Sequence, residues 1–424
     1  MDLPVNQIIC GDCLEVLRVF SSNMVDSVVT DPPYGLSKEP DITEVLTKWI
    51  NGEPYDHGHG GFMGKKWDSF VPHPDIWKEV YRVLKPGSHA LVFAGTRTQD
   101  LMTIALRLAG FEVRDVIEFL YFSGFPKSHD VSKAFDKRAG AEREVIGKGK
   151  YYNRQPNGLA SCNVTGFSSE IGKRHGSNGY ITAPATPLAK KWDGWGTNLK
   201  PAHEPIILVR KPFKSTVVDN VEQYGTGAIN IDGCRIGERE KPQIQGAYTG
   251  NSNVPITGAR SAGKVYEGGR FPANCVTTEP DAFFSKYFNI TPPELCKKAS
   301  KKDRNSDWQG EEIALEGRPP KHVFGDGLNS ATKVRKIGDE EAVKDGKLPK
   351  GRTLRTNHHP TVKPTDLMAW LIRLITPPNG IVLDPFAGSG STLVAAKREG
   401  FDYIGIEMTP EYVEIAKART GEAV

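Results

Sequence analysis

A chain of 424 residues is longer than one ordinary core, so two domains, or one domain with a large insertion, is expected. With 38% hydrophobic and 25% charged residues, 44 Gly and 30 Pro, the composition is that of a loop-rich globular protein and excludes a disordered one. No apolar run of about 18 residues offers a transmembrane helix, and no basic-then-apolar leader marks secretion, so the six scattered cysteines are expected as reduced thiols in a cytoplasm, away from any membrane.

Strand and helix patterns alternate through residues 1–125. Gln7–Cys10 reads as a short strand and Cys13 to Phe20 has helical spacing through Leu14, Leu17 and Phe20. Val25 to Thr30 is a second strand ending at Asp31. After a polar loop, Trp77 to Leu84 is helical and stops at Lys85-Pro86-Gly87. His89–Gly95 is a third strand, Leu101 to Leu108 a helix closed by Gly110, and Val113 to Phe122 another strand. Such alternation implies a parallel sheet covered on both faces.

From 126 to 200 periodicity fades and Gly, Asn, Pro and Ser become frequent, which marks an insertion. Ala202 to Lys211 ends in a convincing strand, so 201–212 is expected to return to the same sheet. Residues 213–358 are loop-rich again, but Tyr248, Tyr266, Phe271 and Trp308 persist there, as in an ordered module that binds something. Regularity resumes over 359–424. Thr365 is placed to cap a helix from Asp366 to Ile375; strand 381–384, a glycine loop, a helix from Thr392 to Glu399, strand 403–406 and a last helix from Glu411 follow. This is half of a doubly wound α/β domain, and residues 1–125 supply the other half.

Net charge is only +4, but residues 126–358 carry 38 Lys and Arg against 26 Asp and Glu, while the rest carry 17 against 25. A basic middle between acidic flanks suits a polyanion. Arg235, Arg260, Arg270, Lys301, Lys302 and Arg304 are candidates for contact with it. For each, a phosphate or solvent contact outweighs base reading.

Ligands of open α/β sheets bind beyond the carboxyl ends of the strands. Asp12, Asp31, Asp384 and Glu407 all fall there. Any one of them reads equally as a helix cap, but four together imply a ligand with several hydroxyl and amine donors. In Asp384-Pro385-Phe386-Ala387-Gly388-Ser389-Gly390-Ser391-Thr392 the glycines let a cofactor lie on the backbone. Leu393 stands where a dinucleotide loop has its third glycine, and no Gly-Lys-Ser/Thr follows, so neither a dinucleotide nor a P-loop is indicated. Glu407, ending the next strand, can accept both hydroxyls of a ribose. Lys363, in His359-Pro360-Thr361-Val362-Lys363-Pro364, is placed to pair with a cofactor carboxylate. Cys10-Gly11-Asp12-Cys13 has metal or redox spacing but no matching second pair, so structural thiols and no metal are expected.

Asp31-Pro32-Pro33-Tyr34 suits chemistry on an exocyclic base amine, whose lone pair is delocalised into the ring. If Asp31 and the Pro32 carbonyl accept both amine hydrogens, the nitrogen is drawn towards tetrahedral geometry and its lone pair is freed. Pro32 and Pro33 remove backbone donors, and Tyr34 offers a flat face for an extruded base.

Together these residues resemble the N6-adenine/N4-cytosine DNA methyltransferases, of the β arrangement in which the catalytic loop precedes the cofactor loop. The resemblance covers roughly 5–125 and 355–420. Phrases in the middle, Ser123-Gly124-Phe125-Pro126-Lys127, Leu199 to Pro205, Thr226 to Gly233 and Gly269 to Asn274, resemble phage and prophage members. It implies a Rossmann-like, mostly parallel seven-stranded sheet with a large inserted target-recognition region at 213–358. It also implies catalysis by Asp31 to Tyr34, and S-adenosylmethionine bound by Asp12, Asp31, Lys363, Asp384, Phe386, Gly388, Gly390 and Glu407. The substrate implied is the N6 amine of a flipped adenine in double-stranded DNA, since Asp at the first catalytic position goes mostly with adenine. Relatives of this arrangement often form homodimers, and a separate restriction endonuclease is compatible with it. The alternatives are N4-cytosine methylation and, more remotely, an RNA or protein substrate, against which the loop order argues.

Overall fold

The computed structural model describes residues 3–36, 38–58, 69–121, 128–148, 180–235, 271–277 and 361–422, with short pieces at 289–290, 304, 313–315, 353–355, 357 and 359. Expectations for Arg260, Arg270, Lys301 and Lys302, and for most of 213–358, fall outside these residues. The described strands are β1 (Gln7–Cys10), β2 (Val25–Thr30), β3 (Leu84–Phe93), β4 (Glu112–Leu120), β5 (Val145–Lys148), β6 (Tyr180–Thr182), β7 (His203–Arg210), β8 (Cys275–Thr277), β9 (Asn289–Ile290), β10 (Ile313–Leu315), β11 (Thr353–Arg355), β12 (Ile381–Asp384) and β13 (Asp402–Glu407). The helices are α1 (Cys13–Arg18), α2 (Ile42–Ile50), α3 (Pro74–Val83), α4 (Gln99–Leu108), α5 (Val131–Arg138), α6 (Pro187–Lys191), α7 (Val217–Tyr224), α8 (Thr365–Ile375), α9 (Ser391–Glu399) and α10 (Pro410–Thr420).

The chain divides into two compact units, Phe122–Ala202 and the remainder. The larger unit holds a sheet in the order β1-β13-β12-β2-β3-β7-β4-β8-β9. The seven expected strands occupy its first seven places. β8 and β9 extend it by two short parallel rungs, Glu118 to Leu120 pairing with Cys275 to Thr277. The edge of β4 is thereby paired rather than left open.

Five strands from β1 to β3 run parallel, and β7 is antiparallel to both β3 and β4. The chain leaves a slot between β3 and β4 and fills it only when it returns at His203. Because β7 runs the other way, its first residues lie at the edge where its parallel neighbours end. Ile206 pairs with Phe93, the last residue of β3, so Glu204 stands just beyond that edge.

All six residues of β2 are buried, as expected for a central strand covered on both faces. One face packs under α8 and α9 with Trp370, Leu371 and Leu393; the other packs under α1, α3 and α4 with Leu17, Trp77 and Met102. Helix α8 starts at Thr365 with Pro364 in the cap position, so Thr365 is the first helical residue rather than the cap. Strand β3 begins at Leu84, directly after α3. The Lys85-Pro86-Gly87 turn is absorbed as an irregular start with a register shift rather than standing as a separate linker.

The described parts of the 213–358 stretch belong to this unit. A Thr216/Asp219 capping box starts α7, and Asn220 donates to the Pro86 and Thr226 carbonyls at 2.9 and 2.7 Å, docking that helix on β3. Cys234 is buried against α8, where Trp370 Nε1 donates to its carbonyl, and Val276 of β8 is fully buried. In the smaller unit, α5 and α6 pack together beside the antiparallel β5–β6 pair. Its buried Asp136 accepts from Arg143 at 2.7 Å and from the Ala185 and Thr186 amides.

Candidate active site

The carboxyl ends of β1, β13, β12 and β2 lie side by side, which places Asp12, Glu407, Asp384 and Asp31 along one edge in that spatial order. The four carboxylates are not equivalent. Asp12 is exposed and caps α1, accepting from the Leu14 and Glu15 amides at 2.9 and 3.2 Å. Glu407 is half-buried, and each of its oxygens takes one backbone amide: Gly388 at 2.9 Å and Thr409 at 2.7 Å. Two anchored oxygens still have lone pairs to offer a ligand.

Asp384 is 2% exposed and accepts from Thr30 Oγ1 at 2.7 Å, from the Phe386 amide at 3.1 Å and from the Thr392 hydroxyl. Burial pushes its carboxyl up to about 6 against these donors. The structure therefore places it as an internal brace of the glycine loop rather than at the loop's surface. Thr30 immediately precedes Asp31, so the same hydrogen bond ties the base of one loop to the base of the other.

In the glycine loop, Gly388 has φ +52° and Gly390 φ +77°, and added Cβ atoms would stand 3.0 Å from His359 Nε2 and from Ala416 Cβ. Both positions need glycine. Two residues that the sequence reading did not single out hold this loop. Arg419 of α10 is 1% exposed and donates to the Ser389 carbonyl at 2.7 Å and to the Ser389 and Ser391 hydroxyls at 3.2 Å. His359 is buried edge-on to Tyr412, with ring centroids 4.4 Å apart. Phe386 is half-buried and turns to Trp77, 6.0 Å away between centroids. The polar groups around the loop are carboxylates and backbone, which fit hydroxyls and an ammonium better than phosphates.

Beyond β2 the Asp31–Tyr34 loop is held by Thr98 Oγ1, which donates to the Tyr34 carbonyl at 2.6 Å. Pro32 is buried, while Asp31, Pro33 and Tyr34 are half-buried. The Tyr34 hydroxyl donates to Asp31 Oδ1 at 2.7 Å and lies 3.4 Å from Glu204 Oε2. Lys363 closes the group: its Nζ is 2.8 Å from Asp31 Oδ2, 3.1 Å from Glu204 Oε2 and 3.0 Å from the Tyr34 hydroxyl. It also sits 5.2 Å above the Tyr34 ring and 4.9 Å above that of Phe93. Lys363, expected beside a cofactor carboxylate, bridges the Asp31 and Glu204 carboxylates. Glu204, read from the sequence as part of a strand and of the Leu199 to Pro205 phrase but given no role, is the member that sequence reasoning missed.

Electrostatics in this group run against ordinary values. Burial, reinforced by Glu204, lifts the Asp31 carboxyl above the usual carboxylate range although Lys363 and Tyr34 pull it down. Burial opposes the charge on Lys363, but Asp31 and Glu204 together hold its pKa above the usual lysine value. Burial and the two carboxylates push the Tyr34 hydroxyl well up, so it stays a donor. Tyr121 hydrogen-bonds Glu204 and is raised to about 12, again mainly by burial.

Of the expected polyanion contacts, Arg235 and Arg304 are the two within the described residues. Arg235 donates to Asp232 at 2.8 Å and stacks over Phe271; Arg304 donates to the His359 carbonyl. Both are engaged in local packing. The four described cysteines are free thiols, and burial lifts that of Cys13 to about 12. No helix among the described residues is long and apolar enough to cross a membrane.

Comparison with known proteins adds to this geometry. A family model described as DNA methylase, covering N6 and N4 methyltransferases, matches residues 25–418. The type II methyltransferase M.HindIII of Haemophilus influenzae is 22% identical over 97% of this chain and 94% of its own. YubD of Escherichia coli K12 is 55% identical over 62 residues, 15% of this chain and 27% of its own, so that match spans about a quarter of the relative. Among solved structures, the M1.HpyAVI–SAM complex aligns over 97% of this chain and 98% of its own at 16% identity and a TM-score of 0.37.

Proposed function

The chain belongs to the N6/N4 family of DNA methylases, and from that premise we propose that it transfers a methyl group from S-adenosylmethionine to the N6 amine of an adenine extruded from double-stranded DNA. One observation carries the reading. The Thr30–Asp384 hydrogen bond and the Val28–Leu383 register pair hold the Asp31–Tyr34 loop directly beside the glycine loop. A base at Asp31 and a cofactor on Gly388 and Gly390 would then meet at one sheet edge.

The cofactor fits what is built there. Glu407, anchored through both oxygens, would take the ribose hydroxyls, Asp12 on the next strand end would take a further donor, and the glycine backbone would lie against the remainder. When bound, S-adenosylmethionine supplies a methyl group on a positively charged sulfur. The chain's own contribution is positioning and local electrostatics. Asp31 and the Pro32 carbonyl accept the amine hydrogens, Tyr34 faces the base, and Asp384 braces both loops from beneath. The basic stretch of 126–358 would contact the DNA backbone.

Expressing the protein in a host without its own DNA methylation, then sequencing with modification-sensitive reads, tests this. Methylated adenine in one recurring motif is expected, and Asp31→Ala should abolish it while DNA binding persists. Methylated cytosine would transfer the reading to the N4 amine. An unmodified genome with soluble protein would overturn a DNA substrate.

A further inference from the structure

The Asp31–Tyr34 loop does not act alone, because a second carboxylate shares its lysine. Glu204 arrives on β7, the antiparallel strand, and only that reversal brings a residue preceding a strand core to the edge where β2 and β3 end. Its Oε2 is 3.1 Å from Lys363 Nζ and 3.4 Å from the Tyr34 hydroxyl, and both of those groups also contact Asp31. We propose that Glu204 is a positioning residue of the amine site: by sharing Lys363 with Asp31 it fixes the orientation of the Asp31 carboxylate and keeps that carboxylate from being neutralised by the lysine.

This rests on the methyl-transfer reading above. When the amine nitrogen takes the methyl carbon, its lone pair forms the N–C bond, the S–C electron pair stays with sulfur, and one N–H proton must leave. Asp31 stands to accept that proton. A carboxylate locked alone against an ammonium is a weak acceptor; one that shares the ammonium with a second carboxylate is a better one. The groups facing Asp31 support this balance. From its own loop comes Tyr34, from the segment before α8 Lys363, from β7 Glu204, from the end of β4 Tyr121 behind Glu204, and from β12 the braced Asp384. His203, the neighbour of Glu204, lies 3.6 Å from Glu118 instead. Glu204 acts to raise the Asp31 pKa, opposite to Lys363.

The test compares Glu204→Gln and Glu204→Asp with the unmodified protein in two measurements. The first is the single-turnover methylation rate at saturating DNA and S-adenosylmethionine across pH. Glu204→Gln should slow it roughly tenfold or more at neutral pH, and should move its acid limb down by roughly one pH unit. Glu204→Asp should restore most of the rate, and neither change should alter cofactor affinity in calorimetry. The second uses no substrate: carbon-13 NMR of carboxyl-labelled aspartate, with the Asp31 signal identified by its loss in Asp31→Asn. In Glu204→Gln that signal should titrate at lower pH than in the unmodified protein, by the same amount as the acid limb.

An unchanged rate and acid limb would overturn the proposal. So would a slowed rate with the Asp31 titration unmoved, which would make Glu204 a purely structural residue. If the unmodified protein methylates no DNA, the methyl-transfer reading fails, while the NMR titration still decides whether Glu204 sets the state of Asp31.

Discussion

On the proposed reading Asp31 must act as a carboxylate, in a site whose burial favours the protonated acid. The pKa is raised, so the protonated fraction grows as pH falls through a value above the ordinary 3.8, and activity should be lost on the acid side earlier than for a solvated aspartate. A methylation rate flat down to about pH 4 would remove Asp31 from the proton-accepting role. Asp384 offers a second titration, read in stability rather than rate. Its folded pKa of about 6 exceeds the ordinary 3.8, so the folded chain binds this proton more tightly than the unfolded chain does. Its contribution is therefore most favourable below the lower value, declines as pH rises to the upper one and is constant beyond, a change of roughly 3 kcal/mol. Urea unfolding across that window should show the decline in the unmodified protein and not in Asp384→Asn; identical profiles would refute it. Glu407→Ala belongs at this scale too. It removes the acceptor of two loop amides as well as the proposed ribose contact, so cofactor affinity in calorimetry should fall by roughly 10- to 100-fold, and unchanged affinity would take Glu407 off the ribose.

At the scale of elements, what could be read from the chain was whatever a local pattern carries. The runs Val25–Thr30 and Ile381–Asp384 are apolar because central strands are covered on both faces, and the carboxylates that end them were visible for the same reason. The late strand at His203–Arg210 was legible from its apolar run, but its antiparallel direction was not. Direction depends on which slot in the sheet stays open, and that is the reason Glu204 escaped notice. Arg419 escaped for a related cause: a basic residue near the C-terminus of a helix reads as a favourable dipole contact, and nothing local shows that it turns inward to Ser389 and Ser391. Helix α7 was hidden inside a glycine-rich stretch, yet its docking is specific. Asn220 is 1% exposed and serves two carbonyls, so Asn220→Ala should destabilise the protein by about 1–3 kcal/mol in chemical unfolding. A loss within error would mean that α7 is not part of the cooperative core.

For the molecule as a whole, the site is assembled from parts distant in sequence: Asp31 and Tyr34 near one end, Glu204 in the middle, Lys363 and the glycine loop near the other. Between them lies the basic stretch, and its charge acts differently from the site's. A site of paired carboxylates discriminates by geometry, whereas lysines and arginines that meet phosphates displace counterions and make binding depend on salt. Arg235 and Arg304 are committed to Asp232 and to the His359 carbonyl, which leaves Arg260, Arg270, Lys301 and Lys302 as the candidates for the phosphate role. Replacing those four with alanine should weaken binding to all duplexes alike. In fluorescence anisotropy it should flatten the plot of log affinity against log salt by roughly 0.9 for each phosphate contact removed. S-adenosylmethionine affinity should be unchanged, since Asp384 and Arg419 brace the cofactor loop from within. A salt slope that stays the same would move the DNA contact elsewhere, and a slope that stays the same while one sequence loses affinity would make these residues readers of bases.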